Sequence, residues 1–232
     1  MHVTAIVLAA GAGRRIGGDV AKTFLPIAGR PLVLRTLDRM FAAKTVEQVV
    51  LVVSASELER CDALLRNDSV LRDRPYLLQT GGRTRQQSAM RGLEKVAAET
   101  DVVIIHDGAR PFVSAALIDR CALSAAQKGA VVVGLPARDT IKIVGDDRLI
   151  LSTPARRSLW EIQTPQAFQK ELIVAAHLQA EKDGVEVTDD AMVVERLGKP
   201  VYVLEGERTN LKITLPEDIW LAEMMIREGR VP

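Results

Sequence analysis

β-branched and apolar residues fill Val3–Leu8 with no polar alternation, which predicts a strand buried on both faces. Val46–Val53, Tyr76–Gln79, Val102–His106 and Ala130–Leu135 repeat that signal. Helical patterns lie between them. Pro31 suits the first turn of a helix running to about Ala43, in which Leu34, Leu37, Met40 and Phe41 recur at helical spacing. Ser56 is the expected cap of a helix to about Arg66, with Glu59 in the capping-box position. Arg85 to Ala98 reads as a third helix, and Ser114 caps a fourth. Strands alternating with helices predict an α/β fold with a doubly wound, mostly parallel sheet, whose ligands bind beyond the carboxyl ends of the strands.

The rhythm changes after Pro136. Thr140–Val144 and Arg148–Leu151 read as a β-hairpin around Gly145-Asp-Asp147. Its sides carry more aliphatic residues than a free ribbon should expose. Either it projects as an arm buried against another subunit, or it folds over its own domain. Gln163-Thr-Pro-Gln166 follows, then a helix from Lys170 to about Asp183. Thr188 is the expected cap of a short helix, Val201–Leu204 is a strand, and a last helix starts at Pro216. Without repeats, low-complexity tracts or a flexible linker, residues 1–232 read as one domain with an arm at about residues 137–160.

The first strand runs into Ala9-Ala-Gly-Ala-Gly-Arg-Arg-Ile16, with Lys22 shortly after. Gly11 and Gly13 let backbone N–H groups approach a polyphosphate, and Arg14, Arg15 and Lys22 add positive charge. A dinucleotide fingerprint needs a third glycine where Ile16 stands, and a carboxylate at the end of the second strand where Ser54-Ala-Ser stands. A P-loop needs Lys and a hydroxyl where Asp19-Val20 stand. The remaining pattern is similar to the signature loop of the sugar-nucleotide type nucleotidyltransferases, which wraps a nucleoside triphosphate.

Composition narrows the partners. Aromatic residues make up only 3% of the chain, which argues against a base-stacking surface for nucleic-acid strands. The net charge is +1 with no long basic block, so the cations near Arg15 point to a small anion. No apolar run is long enough for a membrane span, and the N-terminal apolar run reads as a strand rather than a signal peptide. Cys61 and Cys121 form neither a disulfide framework nor a zinc pattern, so a reducing cytoplasm is expected. His2, His106 and His177 do not cluster, and His106 reads as structural.

Two further segments follow strands. Gly81-Gly-Arg-Thr-Arg-Gln-Gln-Ser88 would let backbone groups meet a base edge, with Ser88 hydrogen-bonding it; an ordinary β–α turn is the competing reading. Asp107-Gly-Ala-Arg110 offers a carboxylate for a metal or a sugar hydroxyl, with a plain Asp–Arg ion pair as the alternative. No Asp-x-Asp pair exists, which argues against a metal-dependent glycosyltransferase.

In order, the glycine loop, Lys22, Gly81-Gly with Arg85 and Ser88, His106-Asp-Gly-Ala-Arg-Pro111, Asp139-Thr-Ile-Lys142, Arg156 with Leu159-Trp160, Gln163-Thr-Pro-Gln-Ala-Phe168, Thr188-Asp-Asp-Ala191 and Asn210-Leu-Lys-Ile-Thr214 form a specific set. The whole chain resembles the 2-C-methyl-D-erythritol 4-phosphate cytidylyltransferases. The resemblance implies a Rossmann-like nucleotidyltransferase fold that moves CMP from CTP to a polyol phosphate with Mg2+, as a cytoplasmic homodimer joined through the arm. It also implies catalytic roles for Arg15, Lys22 and Lys212. Ala9, Ala10, Gly11, Gly13, Gly82, Ser88 and Asp107 would bind CTP. Thr140 and Arg156 of one subunit would meet the acceptor phosphate, with Asp107, Thr164 and Thr188 on the other side. Asp107 would lie near the ribose and a magnesium ion held mainly by CTP phosphates. Arg83 is a departure, because an acidic residue can occur there in relatives, and it bears on base preference if its side chain meets the base. A sister family, the ribitol 5-phosphate cytidylyltransferases, shares much of this set, although His106-Asp-Gly-Ala-Arg and Leu159-Trp160 favour the erythritol enzymes. A nucleotide-binding module without turnover is the alternative from another class.

Overall fold

The computed structural model describes residues 1–11 and 21–232. Its strands are β1 (Val3–Leu8), β2 (Pro26–Ile27), β3 (Arg30–Pro31), β4 (Val46–Val53), β5 (Tyr76–Thr80), β6 (Val102–Asp107), β7 (Ala130–Pro136), β8 (Ile143–Val144), β9 (Ile150–Ser152), β10 (Trp160–Gln169) and β11 (Tyr202–Glu205). The helices are α1 (Leu32–Ala42), α2 (Leu58–Asn67), α3 (Arg85–Leu93), α4 (Ala115–Lys128), α5 (Lys170–Lys182), α6 (Asp190–Arg196) and α7 (Pro216–Arg227). Seven strands form the central sheet in the order β11-β7-β10-β6-β1-β4-β5. All run parallel except β10, which pairs antiparallel with both β6 and β7.

Both faces of this sheet are covered, which explains the unbroken apolar runs. Val3, Ala5 and Val7 pack with Leu37, Met40, Leu65, Leu117 and Cys121 from α1, α2 and α4. Ile6, Val50 and Val52 pack on the other face with Ala89, Ile173 and Val194 from α3, α5 and α6. A smaller core gathers Ile27, Leu32, Phe112, Ile213 and Ala222 beneath α7.

Several local expectations change. The strand β10 has no clear pattern in sequence because polar Gln163, Thr164 and Gln166 flank Pro165, which has no N–H to donate. Its register with β7 shifts between Gln163 and Gln166, so the sheet accommodates the proline at an irregularity. Ser56 does not cap α2. A tight 3-10 turn over Ala55–Glu57 comes first, closed by Glu57 N–H to Ser54 O at 3.0 Å, and Ser56 Oγ meets Ser54 Oγ at 3.1 Å. Asp189, not Thr188, caps α6: one carboxylate oxygen accepts from Met192 N (3.1 Å) and the other from Gln166 Nε2 (2.9 Å), so one side chain serves both the helix end and β10. The helix from Arg85 ends at Leu93, where Lys95 and Val96 donate back three residues instead of four. Ser114 caps α4 as expected, accepting from Leu117 N at 3.0 Å.

The hairpin of β8 and β9 is a separate two-stranded sheet. It does not fold its aliphatic face onto its own domain: Ile143, Leu149, Ile150 and Leu151 are each at least half exposed.

Candidate active site

Chain order reverses between β1 and β6. The strands step outward from β1 to β4 and β5, then return to β6 on the other side of β1. A crevice opens beyond the strand ends at such a point. Here Gly108 N–H donates to Leu8 O (2.9 Å), which holds the ends of β1 and β6 together, and Ala9 N–H donates to Val52 O (2.7 Å), which ties the end of β1 to β4. The resulting cleft of about 450 Å³ is lined by Ala9, Ala10 and Gly11, by Lys22 and Thr23, by Gly82 to Arg85 with Ser88, and by Asp107, Ala109 and Lys212.

One wall is the glycine turn after β5. A Cβ on Gly81 would stand 2.4 Å from Ala10 Cβ and 2.9 Å from Ser88 Oγ, so any side chain would push the turn off the loop after β1. A Cβ on Gly82 would lie 2.3 Å from Gln87 Cβ. Ser88 Oγ accepts from Gly82 N (3.1 Å) and donates to Thr84 O (2.9 Å), while Thr84 caps α3 through Gln87 N (3.1 Å). The Ser88 hydroxyl therefore fixes the shape of the turn, and it keeps one lone pair for a ligand.

The floor is Asp107. Lys212 Nζ lies 2.7 Å from its carboxylate, Arg85 Nε 3.5 Å and Arg110 Nε 3.8 Å. Burial would raise the Asp107 pKa, but Lys212 and then Arg85 outweigh it and hold the carboxyl at about 2. Behind it, Thr164 Oγ1 accepts from Asp107 N at 3.0 Å. His106 Nε2 faces Arg110 O at 3.1 Å, and a carbonyl can only accept, so Nε2 carries the proton. His106 Nδ1 is then the acceptor for the Thr164 hydroxyl at 3.0 Å. Burial first of all lowers the His106 pKa to about 4, so the ring is neutral and structural. Asn210 Nδ2 donates to Thr164 O (2.8 Å), and Ile213 N–H donates to Ala109 O (2.8 Å), which clamps the segment carrying Lys212 against the loop after β6.

This arrangement is suited to binding and orienting anions. A carboxylate shared by Lys212, Arg85 and Arg110 leaves surplus positive charge facing a glycine-lined cleft, as transfer to or from a polyphosphate requires. A sequence model of the 2-C-methyl-D-erythritol 4-phosphate cytidylyltransferases matches residues 3–228. The chain belongs to that family. A relative from Caldanaerobacter subterraneus subsp. tengcongensis bearing the family's name is 39% identical over 232 residues, covering 98% of this chain and all of the relative. Another, from Geobacter metallireducens, is 40% identical over 98% of this chain and 99% of its own length. The solved 4-diphosphocytidyl-2C-methyl-D-erythritol synthase of Anaerococcus prevotii superposes with a TM-score of 0.87 at 31% identity, covering 97% of this chain and 96% of that one. The Thermus thermophilus 2-C-methyl-D-erythritol 4-phosphate cytidylyltransferase gives 0.79 at 33% identity, covering 98% and all of the two chains. All four carry the erythritol name, which favours that expectation over the ribitol and non-catalytic ones.

Seen as a member of this cytidylyltransferase family, the chain brings Ala9, Ala10, Gly11, Lys22, Gly82, Ser88, Asp107 and Lys212 to one cleft. Gly13 and Arg15 lie outside the described residues. Thr164 is buried behind Asp107, with its hydroxyl committed to Asp107 N and His106. Thr188 is exposed, its hydroxyl 3.1 Å from Met192 Sδ. Thr140 and Arg156 are exposed on or near the arm, and within this one chain neither lines the cleft; Arg156 Nη1 donates to Arg138 O at 3.2 Å. Among the described residues no group of three or more His, Cys, Asp or Glu could hold a metal ion. With Lys212 at 2.7 Å, Asp107 already has a cation, so this donor set suits a metal carried in by the nucleotide's phosphates better than one seated on the protein.

The Asp107–Arg110 ion pair, the alternative reading of that motif, is present at 3.8 Å. The sequence assigns no role to Arg85 or Asp190, although both stand in the quoted motifs. Arg85 Nη1 meets Asp190 at 2.6 Å, and Arg110 Nη1 donates to Asn210 O at 2.8 Å. Asp190 has the position of a helix-start carboxylate, and nothing local marks it as buried.

Proposed function

We propose that the protein transfers CMP from CTP to the phosphate of 2-C-methyl-D-erythritol 4-phosphate, releasing pyrophosphate and giving 4-diphosphocytidyl-2-C-methyl-D-erythritol. The observation that carries this, beside family membership, is the Lys212–Asp107 pair set in the glycine-lined cleft with Lys22 on its wall. An acceptor phosphate oxygen attacks the α-phosphorus of CTP, and the bond to the β-phosphate oxygen breaks. The attacking phosphate has a second pKa of ~6 and is largely dianionic at neutral pH, so no general base is needed. The chain's task is to line up two anions and stabilise the charge that passes to pyrophosphate. Lys22 and Lys212, with Arg15, supply that charge; Gly82 and Ser88 shape the slot for cytosine; and Asp107 orients Lys212 beside the ribose. Magnesium bound to the triphosphate would offset its negative charge, and Asp107 is the carboxylate of the cleft that could meet it.

The acceptor side is completed by a second copy of the chain. The exposed aliphatic residues of the arm support this, as does the fact that Arg156 does not line the cleft of its own chain. In the homodimer, Thr140 and Arg156 of one subunit meet the acceptor phosphate in the other's cleft, opposite Asp107 and Thr188. A cytoplasmic setting accords with two free, buried cysteines and with the absence, among the described residues, of a helix long and apolar enough to cross a membrane. The test is pyrophosphate release from CTP with the methylerythritol and ribitol phosphates offered separately. Preference for the erythritol acceptor is expected. Preference for the ribitol acceptor, or no turnover with either, would overturn the assignment.

A further inference from the structure

Behind the cleft lies a buried carboxylate that does not line it. Asp190, the first residue of α6, is 1% exposed at its side chain. One of its oxygens takes Arg85 Nη1 at 2.6 Å, and the other faces His177 Nε2 from α5 at 3.1 Å. Its backbone N–H donates to Gln166 Oε1 of β10 at 3.1 Å. Burial would raise the Asp190 pKa, yet Arg85 and His177 bring it below the ordinary carboxylate value.

A purely structural bond between helices would explain Asp190 and His177, since both side chains are 1% exposed. It does not explain Arg85. That side chain lines the cleft, is 28% exposed, and places Nε 3.5 Å from Asp107 while Nη1 holds Asp190. The guanidinium is rigid and planar, so fixing one edge fixes the other. A buried ion pair is weak evidence for stability, because well-packed apolar residues often serve as well. What this pair does do is hold a cation back. Lys212 is the close partner of Asp107 at 2.7 Å, and Arg85 stays 3.5 Å away because its Nη1 is committed to Asp190.

We infer that Asp190 is a positioning residue for the transfer reaction, fixing Arg85 so that it braces Asp107 without displacing Lys212 from it. This rests on the activity proposed above. When Asp190 cannot hold it, the guanidinium closes onto Asp107 and competes with Lys212 for the same carboxylate.

Asp190→Asn in the full chain removes the charge and keeps the shape. It should lower kcat by ~10- to 100-fold, as small misplacements near a reacting centre do, with a smaller change in KM for CTP. The discriminating variant is Asp190→Asn with Arg85→Gln. It has no freed guanidinium and no orphaned carboxylate, so its kcat should exceed that of Asp190→Asn alone. A merely structural bond predicts that the double variant regains thermal stability, but not that kcat per folded molecule recovers. If Asp190→Asn does not fold, Arg85→Lys, which keeps the charge but cannot span both carboxylates, should show the same loss of kcat. A folded Asp190→Asn with parent kcat, a double variant no better than the single one, or an Arg85→Lys with parent kcat would each overturn the role of Asp190. A parent protein that transfers no CMP would instead sink the activity itself.

Discussion

On the cleft floor, His106 and Thr164 are buried and their side-chain hydrogen bonds go to Asp107, Arg110 and each other. On the arm, Leu149, Ile150 and Leu151 stand 62%, 57% and 62% exposed, and the pairing of β8 with β9 involves only a few residues. One region is finished within the chain; the other has apolar surface without a cover in it. A charge that must meet a transition state has to be fixed before substrate arrives, which favours a buried polar scaffold. In the dimer proposed above, side chains that serve a neighbouring copy would need no such burial until that copy docks.

The sharpest test of this contrast is on the floor. Lys212 is 42% exposed while Asp107 keeps Arg85 and Arg110, so Lys212→Ala should fold normally. Its kcat should fall ~10²- to 10³-fold, the usual cost of losing one preorganised charge contact. Steady-state kinetics at saturating CTP with thermal melts would check both, and an unchanged kcat would remove Lys212 from the chemistry.

The scaffold itself should respond to pH. His106 has its pKa lowered from 6.5 to about 4, burial being the largest cause. The unfolded chain therefore binds a proton in that window while the folded chain does not, and stability is lost as pH falls from 6.5 towards 4. The loss attributable to this residue is ~3 kcal/mol and levels off below the folded pKa. Denaturant midpoints at pH 7, 5 and 4 should show it, and His106→Gln, although less stable at pH 7, should flatten that part of the profile.

On the arm side, Arg156→Gln should raise KM for the acceptor ~10- to 100-fold, the worth of a charge-assisted contact, and leave KM for CTP much less affected. Mixed with Lys22→Ala under conditions of proven subunit exchange, it should regain activity, because one heterodimer site then has both residues intact. Exchange without recovery would place Arg156 outside the neighbour's site.

The smallest effect on folding belongs to the arm's apolar face. Leu149→Asp with Leu151→Asp should shift folding stability of the single chain by ~0.5 kcal/mol or less, as exposed substitutions do. The same variant should sediment as a monomer and lose activity on dilution before the parent does. A dimer with parent-like activity would show that this face is not the contact.

The sheet was largely legible because β1, β4, β6 and β7 are buried on both sides, and such strands carry their burial in composition. The position of β10 was not legible, because Pro165 and three polar neighbours hide its pairing until β6 and β7 are in place. Gly81 announced a close approach, and Ala10 proves to be what it approaches. The hairpin was visible as a pattern, while its exposure within the chain depended on where the rest of the fold lies.

Local sequence thus determined the apolar runs, the glycine turns at their ends and the kinds of charge beside them, since these depend on backbone sterics and on neighbours a few residues away. Tertiary structure alone decided the partners. Arg85 and Asp190 are 105 residues apart in the chain and 2.6 Å apart in space. Thr164 became a support for Asp107 instead of an open hydroxyl, and Lys212 became the carboxylate's nearest cation. Electrostatic and hydrogen-bond energies depend on distance and burial, and neither exists for residues far apart in sequence until the sheet brings their loops to one edge.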